Sequence, residues 1–146
     1  MKITIVAPAV IALCIATAVS AQEKGFPSKE ATRTYSDKIT DLVKADNIEG
    51  AFKIIREQWL FPEEEIANLQ TQTVSQLPML KSRFGKILEK KFMKEEVIED
   101  LMVRYIYIIK YEKHAIRWSF TFYKPGTRWL LNSLKWDASV DELFPK

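Results

Sequence analysis

The hydrophobic period of this chain changes at Gly85, and that change constrains the fold more than any other feature. Before it, apolar residues recur every three or four positions; after it, they alternate. Ser28 can cap a first helical pattern, with Ala31, Tyr35, Ile39, Leu42 and Val43 on one face. Asp46-Asn47 interrupts it. A second, shorter stripe follows through Ile48, Ala51, Phe52, Ile55 and Trp59, weakened slightly by Gly50. Pro62 suits a first helical position, and Glu63, Glu64 and Glu65 complement the dipole of the first turn. The third stripe then carries Ile66, Leu69, Thr73, Leu77, Leu80 and Phe84, with Pro78 expected to kink or divide it near Leu77.

Beyond Gly85 the pattern reads as strands at residues 86–93, 101–111, 115–123 and 128–136. Glu112-Lys113-His114 makes one tight connection. Lys124-Pro125-Gly126-Thr127 makes another, where proline fixes one central residue and glycine accepts a positive φ at the next. Ser139-Val140-Asp141-Glu142 has capping-box spacing, so a last helical turn is expected to carry Leu143 and Phe144 back onto the body. Helices first and a meander afterwards is an α+β organisation: three N-terminal helices packed on a curved antiparallel sheet of about four strands.

The N-terminus carries the marks of export. Lys2 supplies a positive start, residues 3–15 an apolar stretch and Val19-Ser20-Ala21 a small-residue cleavage site, with Ala16-Thr17-Ala18 as an earlier one. This divides the chain into a signal peptide (1–21), a flexible polar lead (22–27) and one domain (28–146), placed in the periplasm or secreted. Two rivals remain: an uncleaved anchor over residues 3–21, which would be the only membrane contact, and a lipoprotein acylated on Cys14. Bacterial lipoprotein signals put a small residue before the cysteine, where this chain has Leu13. Cys14 is the only cysteine, so cleavage leaves a domain without thiol or disulfide that must rely on its core. With 22 basic against 19 acidic residues, and Lys2 lost with the leader, the net charge is too small to imply nucleic acid as a partner.

The segments DNIEGAF (46–52) and FTFYKPGTRW (120–129), the latter followed by LLNSLKWD, resemble the turn into the second helix and the paired last strands of small exported bacterial members of the nuclear transport factor 2-like superfamily. The resemblance covers nearly the whole chain after the leader in order and length. A cystatin-like sheet wrapped on one helix is the nearest alternative, and it leaves two helical patterns unexplained. The resemblance implies an apolar pocket between helices and sheet, used elsewhere for ligand binding, catalysis or dimerisation; fold alone does not choose among these.

Chemical signatures are scarce. After the leader there is one histidine, His114, in an expected turn, and no cysteine, so no metal or other cofactor is indicated. No G-x-S-x-G, G-x-G-x-x-G or phosphate-loop motif occurs. Enzymes of the resembled fold use a pocket carboxylate with a tyrosine or histidine. Tyr35 with Asp37, Asp41 or Asp46 would be the nearest equivalent, but the aspartates fall off the apolar stripe. Glu95-Glu96 reads as a solvated turn, and Lys86, Lys90, Lys91 and Lys94 as the guard of an edge strand, with an anionic surface as the rival reading. The candidates to line a pocket are Tyr35, Trp118, Phe120, Phe122 and Asn132, the last a strand amide between Leu130 and Leu134 that needs partners if buried.

The second strand has apolar residues on both sides, with Tyr105, Tyr107 and Ile109 opposite Ile106 and Ile108. In the last hairpin a two-residue loop leaves Leu130, Leu134 and Trp136 outside, and a three-residue loop leaves Trp129 and Leu131 there instead. Either way the outer face of the sheet is expected to be apolar, with Tyr107, Ile108, Leu130, Leu134 and Trp136 as interface candidates for a homodimer. The leading expectation is a non-enzymatic binding or accessory domain for a small apolar ligand. The alternatives are an interaction module docking onto an envelope complex through its sheet, and an enzyme using a pocket carboxylate.

Overall fold

The computed structural model describes residues 23–145, so the leader expected at 1–21 lies outside the described residues. Three helices come first: α1 (Lys29–Lys44), α2 (Ile48–Gln58) and α3 (Glu63–Phe84). Four strands follow, β1 (Ile87–Ile98), β2 (Met102–Tyr111), β3 (Ala115–Tyr123) and β4 (Leu130–Asp137), then one 3₁₀ turn, η1 (Asp141–Leu143). The strands form an antiparallel meander in the order β1-β2-β3-β4, which leaves β1 and β4 as edges.

The helices start and stop where their caps dictate. Ser28 accepts the Ala31 amide and Asn47 the Gly50 amide, each satisfying one of the orphan donors of a first turn. Pro62 stands one place earlier than expected, as the N-cap of α3, with three glutamates in the first turn behind it. α3 then runs unbroken through Pro78. Val74, whose carbonyl loses its partner to that proline, is on the exposed side, where water can take the bond. Gly85 closes the helix at φ 85°, and a Cβ there would run into the side chain of Glu112, which accepts the Lys86 amide at 3.1 Å.

Between the layers lies one apolar core. Tyr35, Ile39 and Val43 of α1, Phe52 and Ile55 of α2, and Ile66 and Leu77 of α3 meet Val103, Tyr105, Tyr107 and Ile109 of β2 and Ile116, Trp118, Phe120 and Phe122 of β3. Among the described residues, the members of this core lie between Phe26 and Trp136. Residues 23–27 of the expected flexible lead are described, and contacts of Gly25 and Phe26 tie them to this fold. Phe26 is buried and exchanges backbone bonds of 2.8 and 2.9 Å with Trp129, and the Gly25 amide donates to Gln58 Oε1 at 3.0 Å.

Two strands, β1 and β4, differ from their sequence reading. β1 runs to Ile98, well past Met93, and includes Glu95 and Glu96. Their charges are met by Lys29 at 2.6 Å and by Lys94 and Arg104 at 2.8 and 2.5 Å, so they do not end the strand. β1 also contains two bulges, at Leu88 and Met93, where one extra residue resets the alternation. β4 contains another: Thr121 pairs with Ser133 and Phe122 with Leu131, leaving Asn132 as the extra residue. Neither simple hairpin register is adopted. The bulge changes the phase within the strand, and Trp129, Leu131, Leu134 and Trp136 all belong to the core side.

Candidate functional site

The residues expected to line a pocket instead fill the interior. Tyr35, Phe120, Phe122 and Trp118 are buried, and Tyr35 and Phe122 both pack on Phe26, with ring centroids 4.7 and 5.6 Å away. Trp118 stacks on Trp136 at 6.1 Å, and Tyr107 meets Phe120 edge to face at 5.8 Å. Asn132 is a correction. As the bulge residue of β4 it is exposed, because the phase change turns it away from the core.

No catalytic pairing forms around Tyr35 either. Its hydroxyl donates to the Ile54 carbonyl at 3.3 Å, and burial pushes its ionisation well above the ordinary tyrosine range. Asp46 is bound to Lys81. Asp37 lies beside another tyrosine, Tyr107, and with Asp41 it belongs to a cluster that the sequence reading missed. Lys90 points inward from β1 and reaches Asp41 at 2.7 Å and Asp37 at 3.4 Å. Arg33 bonds Asp37 at 3.0 Å, with its guanidinium carbon 3.3 Å from the centre of the Phe92 ring. Beneath them lies Tyr107, fully buried, with a hydroxyl that has no hydrogen-bond partner among the described residues. Burial, reinforced by the negative charge of Asp37, holds this phenol neutral far above its ordinary range. Both carboxylate oxygens of Asp37 are engaged by cations, Oδ2 by Arg33 and Oδ1 by Lys90. The spacing of Arg33, Asp37 and Asp41 along α1 was a signal for this cluster; the inward direction of Lys90 was not readable without the bulges.

Of the interface candidates, Tyr107, Leu134 and Trp136 face the helices, so they correct the expectation of an outward apolar set. Ile108 does lie on the outer face, with Ile106, yet the two are 6% and 2% exposed. Long polar side chains cover them. Arg117 opposite Ile108 makes two bonds to Asp137, at 3.1 and 2.8 Å, and also binds Glu142. Lys94 opposite Ile106 donates to the Glu142 carbonyl at 3.2 Å. These contacts bring η1 over the sheet with Leu143 half-buried, whereas Phe144, expected to pack back, is 69% exposed.

Read across the strands, the outer face is a series of rows. Glu96, Arg104, Thr121 and Ser133 form one; Lys94, Ile106, Ser119 and Lys135 the next; Lys91, Ile108, Arg117 and Asp137 another. All carry charge. The row at the end of the β1–β2 hairpin differs, because it consists of Ile98, Met102, Tyr123 and Leu130. Ile98 is 61% exposed, Tyr123 is exposed, and Leu101 in the adjoining turn is exposed as well. An apolar outer face, the ground for expecting sheet-on-sheet pairing, is thus reduced to one row at one end. His114 lies at the opposite end, in the β2–β3 turn, with its ring 4.3 Å from that of Phe84. Comparison of the chain with protein-family models, curated proteins and solved structures finds no match in any of the three.

Proposed function

We propose that this chain is an exported, non-enzymatic accessory domain of the nuclear transport factor 2-like type, and that it works by contact through the hairpin end of its sheet. The observation that carries this reading is the row Ile98, Met102, Tyr123 and Leu130, apolar across every strand and exposed at its β1 end, beside rows that all carry charge. The order of three helices and a four-stranded meander supports the family reading. Bulges in both edge strands support a curved sheet, because each adds twist and bend to its strand. The sequence of residues 1–21 supports export, and no helix among the described residues is long and apolar enough to cross a membrane. Sequencing the N-terminus of the protein from its host should find a start at Gln22, or three residues earlier; a start at Met1 or a lipid on Cys14 would contradict it.

A photo-crosslinking residue at position 98, compared with one at Lys110 at the other end of the outer face, tests the contact surface. Adducts should form in the native host from position 98 and not from position 110. Equal yields, or none from position 98, would overturn the reading.

A second reading, a small ligand held between α1 and the sheet, has one observation in its favour: the unpartnered hydroxyl of Tyr107. Thermal stabilisation by an uncharged ligand, lost in Tyr107→Phe, would support it over the first.

A further inference from the structure

We propose that residues 138–145 form a strap that opens and closes over the outer face of the sheet while the domain stays folded, with Glu142 as its pin. Its role does not depend on that of the hairpin-end row. Ile106 and Ile108 lie on the side of β2 away from the helices, yet they are only 2% and 6% exposed, whereas Ile98 on the same face is 61% exposed. Ser119, beside Ile106, is too short to cover it. Glu142 binds Arg117 on β3 through its carboxylate and Lys94 on β1 through its carbonyl, and β2 is the strand between those two. Arg117 stands opposite Ile108 and Lys94 opposite Ile106, so the segment that carries Glu142 passes over both isoleucines.

The hold on this cover is weak, and it comes apart cleanly. None of the three residues of η1 is buried, and within 138–145 only Val140 and Leu143 are partly buried. The amides of Val140, Leu143 and Phe144 bond to Ala138, Val140 and Asp141, all inside the strap. The Glu142 side chain is 63% exposed, and an ion pair so open to water shifts an equilibrium by about fivefold at most. Release strands no cation. Arg117 keeps Asp137 through Nε and Nη2, at 3.1 and 2.8 Å, and gives up only its Nη1 bond. Lys94 keeps Glu96 at 2.8 Å. The main penalty for breaking such a pair, an unpaired charge left behind, is therefore absent. What opposes opening is the return of Ile106, Ile108 and Leu143 to water. Closed, the middle of the outer face is polar; open, it is an apolar strip flanked by Lys91, Lys94, Arg117 and Lys135.

The test is amide hydrogen exchange at increasing urea, on protein expressed from its full sequence. Protection at Leu143 and Phe144 should be about a hundredfold or more below that at Phe120, and indifferent to urea below the unfolding transition, because a local opening exposes little surface. Glu142→Ala should lower their protection by about threefold. Asp141→Ala, at an exposed neighbour with no ion pair among the described residues, should leave it unchanged. Uncovering of the face is read separately from Ile106→Cys, by the rate at which iodoacetamide modifies the fragment carrying position 106. That rate should rise by about the same threefold when Glu142→Ala is added. Circular dichroism checks that each variant is folded, and Ile108→Cys takes the place of Ile106→Cys if the latter is not. Protection at Leu143 that matches Phe120 and falls with urea in parallel would show that the strap opens only when the whole domain unfolds. Equal effects of Glu142→Ala and Asp141→Ala would remove Glu142 as the pin, and alkylation indifferent to Glu142→Ala would show that the strap is not the cover. Any of these three results overturns the proposal.

Discussion

Trp136 on β4 donates its indole N–H to Thr73 Oγ1 on α3 at 3.0 Å, and Thr73 in turn donates to the Leu69 carbonyl at 2.8 Å. The helix and the last strand are joined through one buried hydroxyl. Thr73→Val keeps the shape and removes the acceptor, leaving the indole without its bond. A loss of about 1–2 kcal/mol is expected from urea unfolding, with a shift in tryptophan emission.

Tyr105 and Tyr107 are both buried and face the same way from β2, yet their hydroxyls differ. That of Tyr105 meets Thr32 Oγ1 and the Lys29 carbonyl, each at 3.0 Å, whereas that of Tyr107 has no partner among the described residues. Tyr105→Phe should destabilise by about 1 kcal/mol, because Thr32 Oγ1 loses its partner hydroxyl and the Lys29 carbonyl loses one of its two side-chain donors. Tyr107→Phe should be neutral or stabilising by up to about 1 kcal/mol. Equal costs in chemical denaturation would show that the two hydroxyls are equivalent after all.

The Arg117 clamp gives the fold a dependence on acid. Burial raises the carboxyl of Asp137, but the Arg117 bonds and the Ser139 amide outweigh it, and the net ionisation is held below the ordinary range. A carboxylate depressed in the folded state contributes stability that is fully present above its unfolded value, about 3.9, and is lost as pH falls through the folded one. The melting temperature should therefore fall below about pH 4. Asp137→Asn should lower it at neutral pH and flatten the acid limb. A variant that keeps the wild-type slope below that pH would assign the loss to other carboxylates.

Glu99 turns the β1–β2 hairpin at φ 49°, a left-handed conformation that costs a residue with a Cβ roughly 1–2 kcal/mol. Glu99→Gly should recover part of this, with a gain of about 0.5–1 kcal/mol in urea unfolding. Because Glu99 is exposed, no packing is lost in exchange.

The helices were legible because each carries its own periodicity and cap: Ser28, Asn47 and the glutamates behind Pro62 are local signals, and β3 alternates without interruption. What was not legible depends on neighbours. Glu95 and Glu96 look like a solvated turn until Lys29, Lys94 and Arg104 are placed beside them. The bulges at Leu88, Met93 and Asn132 leave no residue signature, and they determine which way Lys90 and Trp136 point. The row of Ile98, Met102, Tyr123 and Leu130 is the extreme case. Its members are scattered over more than thirty positions and come together only through three strand registers.

Asn132 also has a consequence for how this hairpin can vary. In a strand without a bulge, adding or removing one loop residue would turn every later side chain to the opposite face. Here the phase is reset inside β4, after the loop and before Leu134 and Trp136. A length change among residues 124–129 can be absorbed by moving or deleting that one irregular residue, while the stacked Trp118 and Trp136 stay where they are. The strand works as a slip joint, and its loop is free to drift in length without disturbing the core.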